Sequence, residues 1–250
     1  MQITKYDPGQ FSWVELSTKD GEAAKKFYGS LFGWEYDEIP MPDGPPYIMA
    51  KLPNGVLGAM YQNPAVPPNW LSYVTVDSAD ESAAKAKSLG ANLLQEPFDV
   101  MDVGRMAVIA DPEGAVFAIW EPRKHIGATV AGENGAAVWN ELMAHNGDAE
   151  RTFYSSLFGW TPKVSPEYTE WHDGDKARGG FMEMKEERFN GVPAFWNVYF
   201  LVANVDESFE KAKSLGATPH HEPMDIPNVG RFAVLGDPQG AGFSLFTPKM

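Results

Sequence analysis

Large apolar and polar side chains alternate from Phe11 to Ser17, the two-residue period of a strand with one buried face. The period then changes. After Asp20, residues Ala23, Ala24, Phe27, Tyr28, Leu31 and Phe32 recur at spacings of three and four, which predicts an amphipathic helix, and Gly33 supplies the left-handed residue that ends it. Three short strand-like runs follow, Trp34 to Ile39, Tyr47 to Leu52 and Val56 to Tyr61, cut by turn-forming stretches at Met41 to Pro46 and Pro53 to Gly55. These elements make one βαβββ unit. A second unit opens with a strand at Trp70 to Val76 and a helix entered through Ser78 and Glu81, which have the spacing of a capping box, and left before Gly90. Strands near Asn92 to Gln95, Arg105 to Ala110 and Ala115 to Trp120 complete it, with Asp111 to Gly114 as a type I turn between the last two.

The whole pattern occurs twice. Trp13, Glu15, Leu16, Phe27, Tyr28, Leu31, Phe32, Gly33 and Trp34 return as Trp139, Glu141, Leu142, Phe153, Tyr154, Leu157, Phe158, Gly159 and Trp160, each 126 residues on. Gly104, Arg105, Asp111, Pro112 and Gly114 return at the same offset as Gly230, Arg231, Asp237, Pro238 and Gly240. Only the middle slips, where Gly58-Ala59-Met60 matches Gly179-Gly180-Phe181 or a neighbouring register. Arg123 to Gly135 is rich in Gly and Ala without apolar periodicity and reads as a linker. The expectation is an α+β chain of two tandem domains, residues 1–122 and 136–250 joined by 123–135, each with eight strands and long enough for its own core.

Composition narrows the partners. Hydrophobic residues at 44% and charged residues at 22% are those of an ordinary folded protein. A net charge of -14 repels phosphate backbones and anionic headgroups, so neither nucleic acid nor membrane is expected as a partner. No run approaches the roughly 18 apolar residues of a membrane span, and residues 1–10 lack the regions of a signal peptide, so a cytoplasmic location is expected. A monomer with its two domains paired, or a homodimer, fits a duplicated chain. The absence of cysteine excludes disulfides, thiolate ligands and a cysteine nucleophile. Phosphate loops between strand and helix and Gly-x-Ser-x-Gly elbows are also missing.

Two βαβββ units per domain, the helix ending in Phe-Tyr-x-x-Leu-Phe-Gly-Trp and the closing Gly-Arg-x-Ala-Val-x-x-Asp-Pro-x-Gly together resemble the vicinal oxygen chelate superfamily. That superfamily includes glyoxalase I, bleomycin-resistance and fosfomycin-resistance proteins and extradiol dioxygenases, and the likeness is strongest to its two-domain bacterial glyoxalase-like or hydroxylase-like group. The resemblance implies that the eight strands of each domain curl into an open cup with helices outside and the ligand inside. It also implies where a metal would sit. One ligand, usually His, comes fourteen residues before the Phe of Phe-Tyr, where this chain has Trp13 and Trp139. The opening strand of the second unit offers about Leu71 and Asn197, and the Glu expected seven residues after the Asp of Asp-Pro-x-Gly is replaced by Ala118 and Ser244. The last ligand comes from the strand ending each first unit, near Met60 and near Met182 or Glu183. Zinc, nickel and iron sites need several imidazole or carboxylate ligands converging on one point, so no metal and no other cofactor is expected. The histidines are scattered: His125 in the linker, His145 at a helix entrance, His172 near a hairpin tip, and His220 and His221 on opposite faces of a strand. A surface site at His221 and Glu222 is a lesser alternative.

Strand alternation places residues two positions from these ligand positions inside the cup as well, which selects Glu15, Tyr73 and Trp120, and Glu141, Tyr199 and Phe246. Trp13, Met60, Trp139 and Asn197 join them as ligand-binding candidates. A carboxylate on an apolar wall should hold its proton more tightly and suits a general base beside a carbonyl, so Glu15 and Glu141 are candidate catalytic residues with Tyr73 and Tyr199. Arg105 and Arg231 recur with the two glutamates and would either pair with them or bind ligand. Three functions fit. One is a metal-independent cup for a small oxygenated or aromatic metabolite, as binder or as glutamate-based lyase, isomerase or hydratase. Another is a drug-sequestering module of the bleomycin-resistance type, its acidity favouring cationic drugs. The third is a metal-dependent glyoxalase-type lyase or dioxygenase using unusual ligands such as Glu15, Asn197 or Glu183.

Overall fold

The structure is a computed structural model that describes residues 2–42 and 44–249. In the first copy β1 (Phe11–Thr18), α1 (Gly21–Phe32), β2 (Glu35–Ile39), β3 (Tyr47–Leu52) and β4 (Gly55–Gln62) form one unit. The second unit of that copy holds β5 (Asn69–Thr75), α2 (Ala79–Ser88), β6 (Asn92–Val100), β7 (Gly104–Ala110) and β8 (Val116–Pro122). The second copy repeats this with β9 (Ala137–Ala144), α3 (Gly147–Phe158), β10 (Thr161–Val164), β11 (Thr169–Asp173) and β12 (Lys176–Glu183). It closes with β13 (Phe195–Leu201), α4 (Val205–Ser214), β14 (Thr218–Ile226), β15 (Gly230–Gly236) and β16 (Gly242–Pro248).

The predicted ends are built as the sequence implies. Asp20 caps α1 by accepting the Ala23 amide at 3.0 Å, Gly33 closes it at φ +75°, and Ser78 caps α2 by accepting the Glu81 amide at 3.2 Å. β6 runs past Gln95 to Val100 despite Pro97, because it pairs with β7 alone and an edge strand tolerates a residue without an amide hydrogen. Each copy forms one eight-stranded sheet in the order β2-β3-β4-β1-β5-β8-β7-β6, repeated as β10-β11-β12-β9-β13-β16-β15-β14. The opening strands of the two units, β1 and β5, lie antiparallel at the centre, each flanked by its own unit's last strand in parallel.

The helix-bearing faces do not make separate cores, as the tandem reading expected. Val14, Leu16, Phe27, Tyr28 and Trp34 of the first copy pack into one cluster with Val198, Phe200, Phe209 and Phe243 of the second. Val74, Ile109 and Phe117 join Leu142, Phe153, Tyr154 and Trp196 in the other. Each core thus joins the first unit of one copy to the second unit of its sibling, and α1 packs on α4 as α2 does on α3. The repeated sequence motifs clasp this interface. Trp70 Nε1 donates to the Tyr28 hydroxyl at 3.0 Å, which donates to Asp237 at 3.0 Å; Trp196 and Tyr154 do the same toward Asp111, both at 2.8 Å. The Tyr of Phe-Tyr and the Asp of Asp-Pro-x-Gly therefore meet across copies. The linker is packed rather than loose: the Ala128 amide donates to Ser12 O at 2.7 Å, the Thr129 amide to Val56 O at 2.8 Å, and Val130 is buried.

Candidate functional site

The opposite, concave face of each sheet forms a cup. In the first, Trp13, Ala59, Leu71, Tyr73, Met106, Ala118 and Trp120 pack into a buried apolar cluster. Glu15 sits among them, its Cα opposite Ala59 on β4 and Leu71 on β5. The Tyr47 hydroxyl donates to Glu15 Oε2 at 2.5 Å and the Tyr73 hydroxyl to Oε1 at 2.9 Å. Each carboxylate oxygen therefore takes one phenol.

The second cup repeats the arrangement with a shift. Tyr168 and Tyr199 both donate to Glu141 Oε2, at 3.1 and 3.0 Å, and Trp139 Nε1 donates to the Tyr168 oxygen at 3.0 Å. Gly180 makes room for this, since a Cβ there would lie 1.7 Å from the Tyr168 hydroxyl and 2.8 Å from Trp139 Nε1. Asn197 and Ser244 replace Leu71 and Ala118 and bond to each other, Nδ2 to Oγ at 2.7 Å. Phe232 packs beside Tyr199 with ring centres 6.3 Å apart, and His221 stacks on Phe232 at 5.4 Å.

Burial decides the protonation of these groups. Removal from water pushes the Glu141 carboxyl up to about 7, although the Tyr199 and Tyr168 hydrogen bonds pull it down, and Glu15 is raised by the same cause against Tyr47 and Tyr73. Among the described residues neither glutamate pairs with a cation. Burial and the adjacent carboxylates push the phenols of Tyr73 and Tyr199 well above their ordinary value, so they stay donors.

The remaining candidates divide. Trp120 fills the first cup, its Nε1 donating to His125 O at 2.8 Å, and it lies on Gly104, where a Cβ would meet the ring at 2.2 Å. Phe246 lies on Gly230 in the same manner, so the glycine of the Gly-Arg motif is the floor on which a cup aromatic rests. The His125 ring of the linker meets Trp13 edge-on at 4.6 Å, and Trp13 is buried where Trp139 is half-buried. Met60 does not reach the cup. The register pairs Ala59 with Glu15, which turns Met60 into the core beneath α1, fully buried with Leu16 and Leu57. Arg105 and Arg231 are also misplaced by the cup reading. Each follows its cup-floor glycine, faces the helix side, and forks onto Asp80 and Asp206 at 2.7 to 2.9 Å, with Asp99 and Asp225 at 3.1 and 3.0 Å. Neither touches Glu15 or Glu141, so the expected ion pairs are not made. The reading by alternation missed Tyr47 and Tyr168. Their signal was the slipped middle register, because they stand 121 residues apart, as do Ala59 and Gly180, which face Glu15 and Glu141.

The donor set does not fit the divalent ion that this fold implies. Trp13, Ala59, Leu71 and Ala118 offer it no oxygen or imidazole, the second cup adds only the Asn197 amide and the Ser244 hydroxyl to Glu141, and each glutamate already accepts two phenols. Among the described residues no three His, Cys, Asp or Glu side chains gather into a metal-holding group. At the rim of the second cup a groove of about 370 Å³ runs past Tyr168, Met182 and Arg151.

Comparison with known proteins places this geometry. A model of the glyoxalase/bleomycin resistance protein/dioxygenase superfamily matches residues 10–119, and a glyoxalase-like domain model matches residues 137–246. A Mycobacterium tuberculosis protein named "Putative glyoxylase CFP32" is 41% identical over 98% of this chain and 97% of its own length. The "Anthracycline biosynthesis protein DnrV" of Streptomyces peucetius is 33% identical over 97% of this chain and 94% of its own. Among solved structures, the Mn(II)-bound glyoxalase from Novosphingobium aromaticivorans superposes with a TM-score of 0.67 at 16% identity, covering 96% of this chain and 82% of that one. The 2,3-dioxygenase LapB from Pseudomonas sp. KL28 gives 0.65 at 11%, covering 99% and 94%. At such identities the likeness shows the fold alone. No helix among the described residues is long and apolar enough to cross a membrane.

Proposed function

The chain belongs to the glyoxalase/bleomycin resistance protein/dioxygenase superfamily, and on that premise we propose that its cups bind a small oxygenated aromatic molecule without a metal, the second cup moving a proton on it. The observation that carries the reading is Glu141: a carboxyl pushed up to about 7, with no cation beside it and two phenols on one of its oxygens. A base with that proton affinity is matched to neutral pH. It takes a proton from the carbon next to a carbonyl, the C–H electron pair moves onto the carbonyl oxygen, and the Tyr199 or Tyr168 hydroxyl, released as Glu141 becomes neutral, donates to that oxygen. Return of the proton at another carbon completes an isomerisation; loss of a group from the neighbouring carbon makes the step a lyase reaction.

The ring-lined wall of Trp139, Phe232 and Phe246 favours a planar ligand. The name of the Streptomyces relative, an anthracycline biosynthesis protein, points the same way. The first cup, packed with Leu71, Met106, Ala118 and Trp120, favours binding without chemistry.

The test is deuterium uptake from heavy water at the carbon beside the carbonyl of an aryl ketone such as 1-tetralone, followed by NMR. Wild type exchanges above the buffer rate, and Glu141→Gln binds the ketone but exchanges at the buffer rate. Exchange that persists in E141Q, or that tracks a stoichiometric divalent ion by elemental analysis, overturns the reading.

A further inference from the structure

The equivalent residues of the two copies also part company in the space between them. β1 and β9 border a half-open cavity of about 210 Å³, lined also by Ala128, Val130 and Ala131 of the linker and by Ile3, Tyr6 and Gln10. Three pairs of equivalent residues meet there: Ser12 with Val138, Val14 with Asn140, and Leu57 with Arg178. In each pair one copy keeps an apolar side chain and the other carries a polar one. An interface core needs no such groups, and buried polar atoms are costly unless something bonds to them.

Those atoms are not all bonded within the chain. The Arg178 side chain is 4% exposed; its Nη2 donates to Asp173, but its Nε, although buried, makes no hydrogen bond. Ser12, 2% exposed, has a buried Oγ with no partner. Asn140 Oδ1 accepts from Ser72 Oγ at 2.6 Å, an inter-copy bond that fixes its amide at the cavity wall. Phe11, Tyr6 and Trp139 line the same space. One cavity is thus lined by an unfilled guanidinium donor and an unfilled hydroxyl.

We propose that this inter-copy cavity is a second ligand site, separate from the cups, which takes a small aromatic or aliphatic monocarboxylate held by Arg178 and Ser12. Arg178 presents a planar cationic donor that matches a carboxylate, and Ser12 can donate to its second oxygen. Asp173, bonded to Nη2 next to the free Nε, offsets part of the guanidinium charge, which leaves room for one negative charge rather than the two or more of a phosphate ester. The volume, on the order of seven water molecules, admits a benzoate-sized acid and not a drug-sized one. Because both Trp13 and Trp139 border it, occupancy is felt by the opening strand of either cup.

Titration of the full chain with benzoate, followed by calorimetry and tryptophan fluorescence, tests the site, with benzamide as the uncharged isostere. The expected result is one benzoate per chain, benzamide weaker by about tenfold or more, and loss of benzoate binding in Arg178→Leu. That variant installs the residue the first copy already carries at Leu57, and its unliganded melting temperature should match or exceed wild type. Ser12→Val, the second copy's residue, should weaken benzoate by about threefold to tenfold and reads the same site if R178L does not fold. The double variant Glu15→Gln, Glu141→Gln should retain benzoate affinity. Benzoate and acetate that leave wild type unchanged at millimolar concentration, affinity equal to that for benzamide, affinity unmoved by R178L, or affinity lost in the glutamate double variant would each overturn the assignment, the first meaning a cavity that holds water only.

Discussion

The two cups share a glutamate and a pair of phenols and differ in the wall around them. In the first, Leu71, Ala118 and Met106 make the wall apolar and the linker lays His125 on Trp13, so the cup is apolar and capped. In the second, Asn197 and Ser244 form a polar pair, Trp139 is turned to Tyr168, and both phenols converge on one glutamate oxygen. A carboxylate buried away from any cation destabilises a fold, and each cup holds one. The repeated part therefore reads as the site and the altered part as its tuning: Glu141 has one oxygen free of phenols and a half-open wall, while both Glu15 oxygens are occupied.

The largest effect expected from that contrast is on turnover. Glu141→Gln should lower proton exchange by about a hundredfold or more, the usual span for losing a general base, while Glu15→Gln changes it less than about twofold. NMR exchange rates for the two variants settle the comparison, and equal losses would show that the cups are one functional type.

Stability comes next, and here the clasps differ as the cups do. Glu150 on α3 lies buried beside Asp111, where the first copy has Ala24 at the equivalent position. Burial, then the charge of Asp111, push Glu150 up to about 9. The sign follows from proton counts: above 4.5 the folded chain keeps a proton that the unfolded chain has lost, so stability falls as pH rises toward 9. Glu150→Gln removes that loss and should stabilise the protein at pH 8, by more than Glu141→Gln does. Glu141→Gln acts in the same direction over a narrower window, from 4.5 to about 7, for about 3 kcal/mol. Urea melts at pH 5 and pH 8 check both, since each variant should match wild type at the lower pH and exceed it at the higher.

How much of this was legible in the sequence follows from what alternation encodes. Strand alternation, counted from the ligand positions that the family resemblance implies, puts Glu15, Tyr73, Glu141 and Tyr199 on concave faces, and in the structure each pair is in hydrogen-bond contact. Alternation is also unforgiving, because a slip of one residue moves a side chain to the other face. Met60 was read into the cup for that reason, and the cup-facing residue is Ala59. Arg105 sits between Gly104 and Met106, so its parity pointed to the helix side all along. Tyr47 and Tyr168 lie in the segment where the repeat offset changes, and without the register nothing local marks them as partners of the glutamates. The exchange of cores between copies was out of reach, since an apolar stripe on a helix says that it is covered and not by which sheet.

A smaller effect is expected at Gly180. Replacing it by alanine, the residue at Ala59 in the first cup, sets a Cβ where the Tyr168 hydroxyl lies and drives that phenol off Glu141. Losing a donor to the charged form raises the carboxyl further, so the lower limb of the exchange rate against pH should move to higher pH, with a stability loss of about 1 kcal/mol. An unmoved profile would mean that Tyr199 alone sets the proton affinity of Glu141.

The smallest change in stability should come from rebuilding the second wall as the first. Ser244→Ala alone leaves the buried Asn197 Nδ2 without its acceptor at 2.7 Å and should cost about 1–2 kcal/mol. Adding Asn197→Leu removes the orphan as well and fills the space with the side chain that Leu71 supplies in the first cup, so the double variant should return to within about 1 kcal/mol of wild type. A double-mutant cycle by urea melts measures this recovery. If the double variant folds as well as wild type but loses affinity for aryl ketones, the polar pair is held for the ligand; if affinity is unchanged, the difference between the two cups lies in the free oxygen of Glu141 and not in the wall.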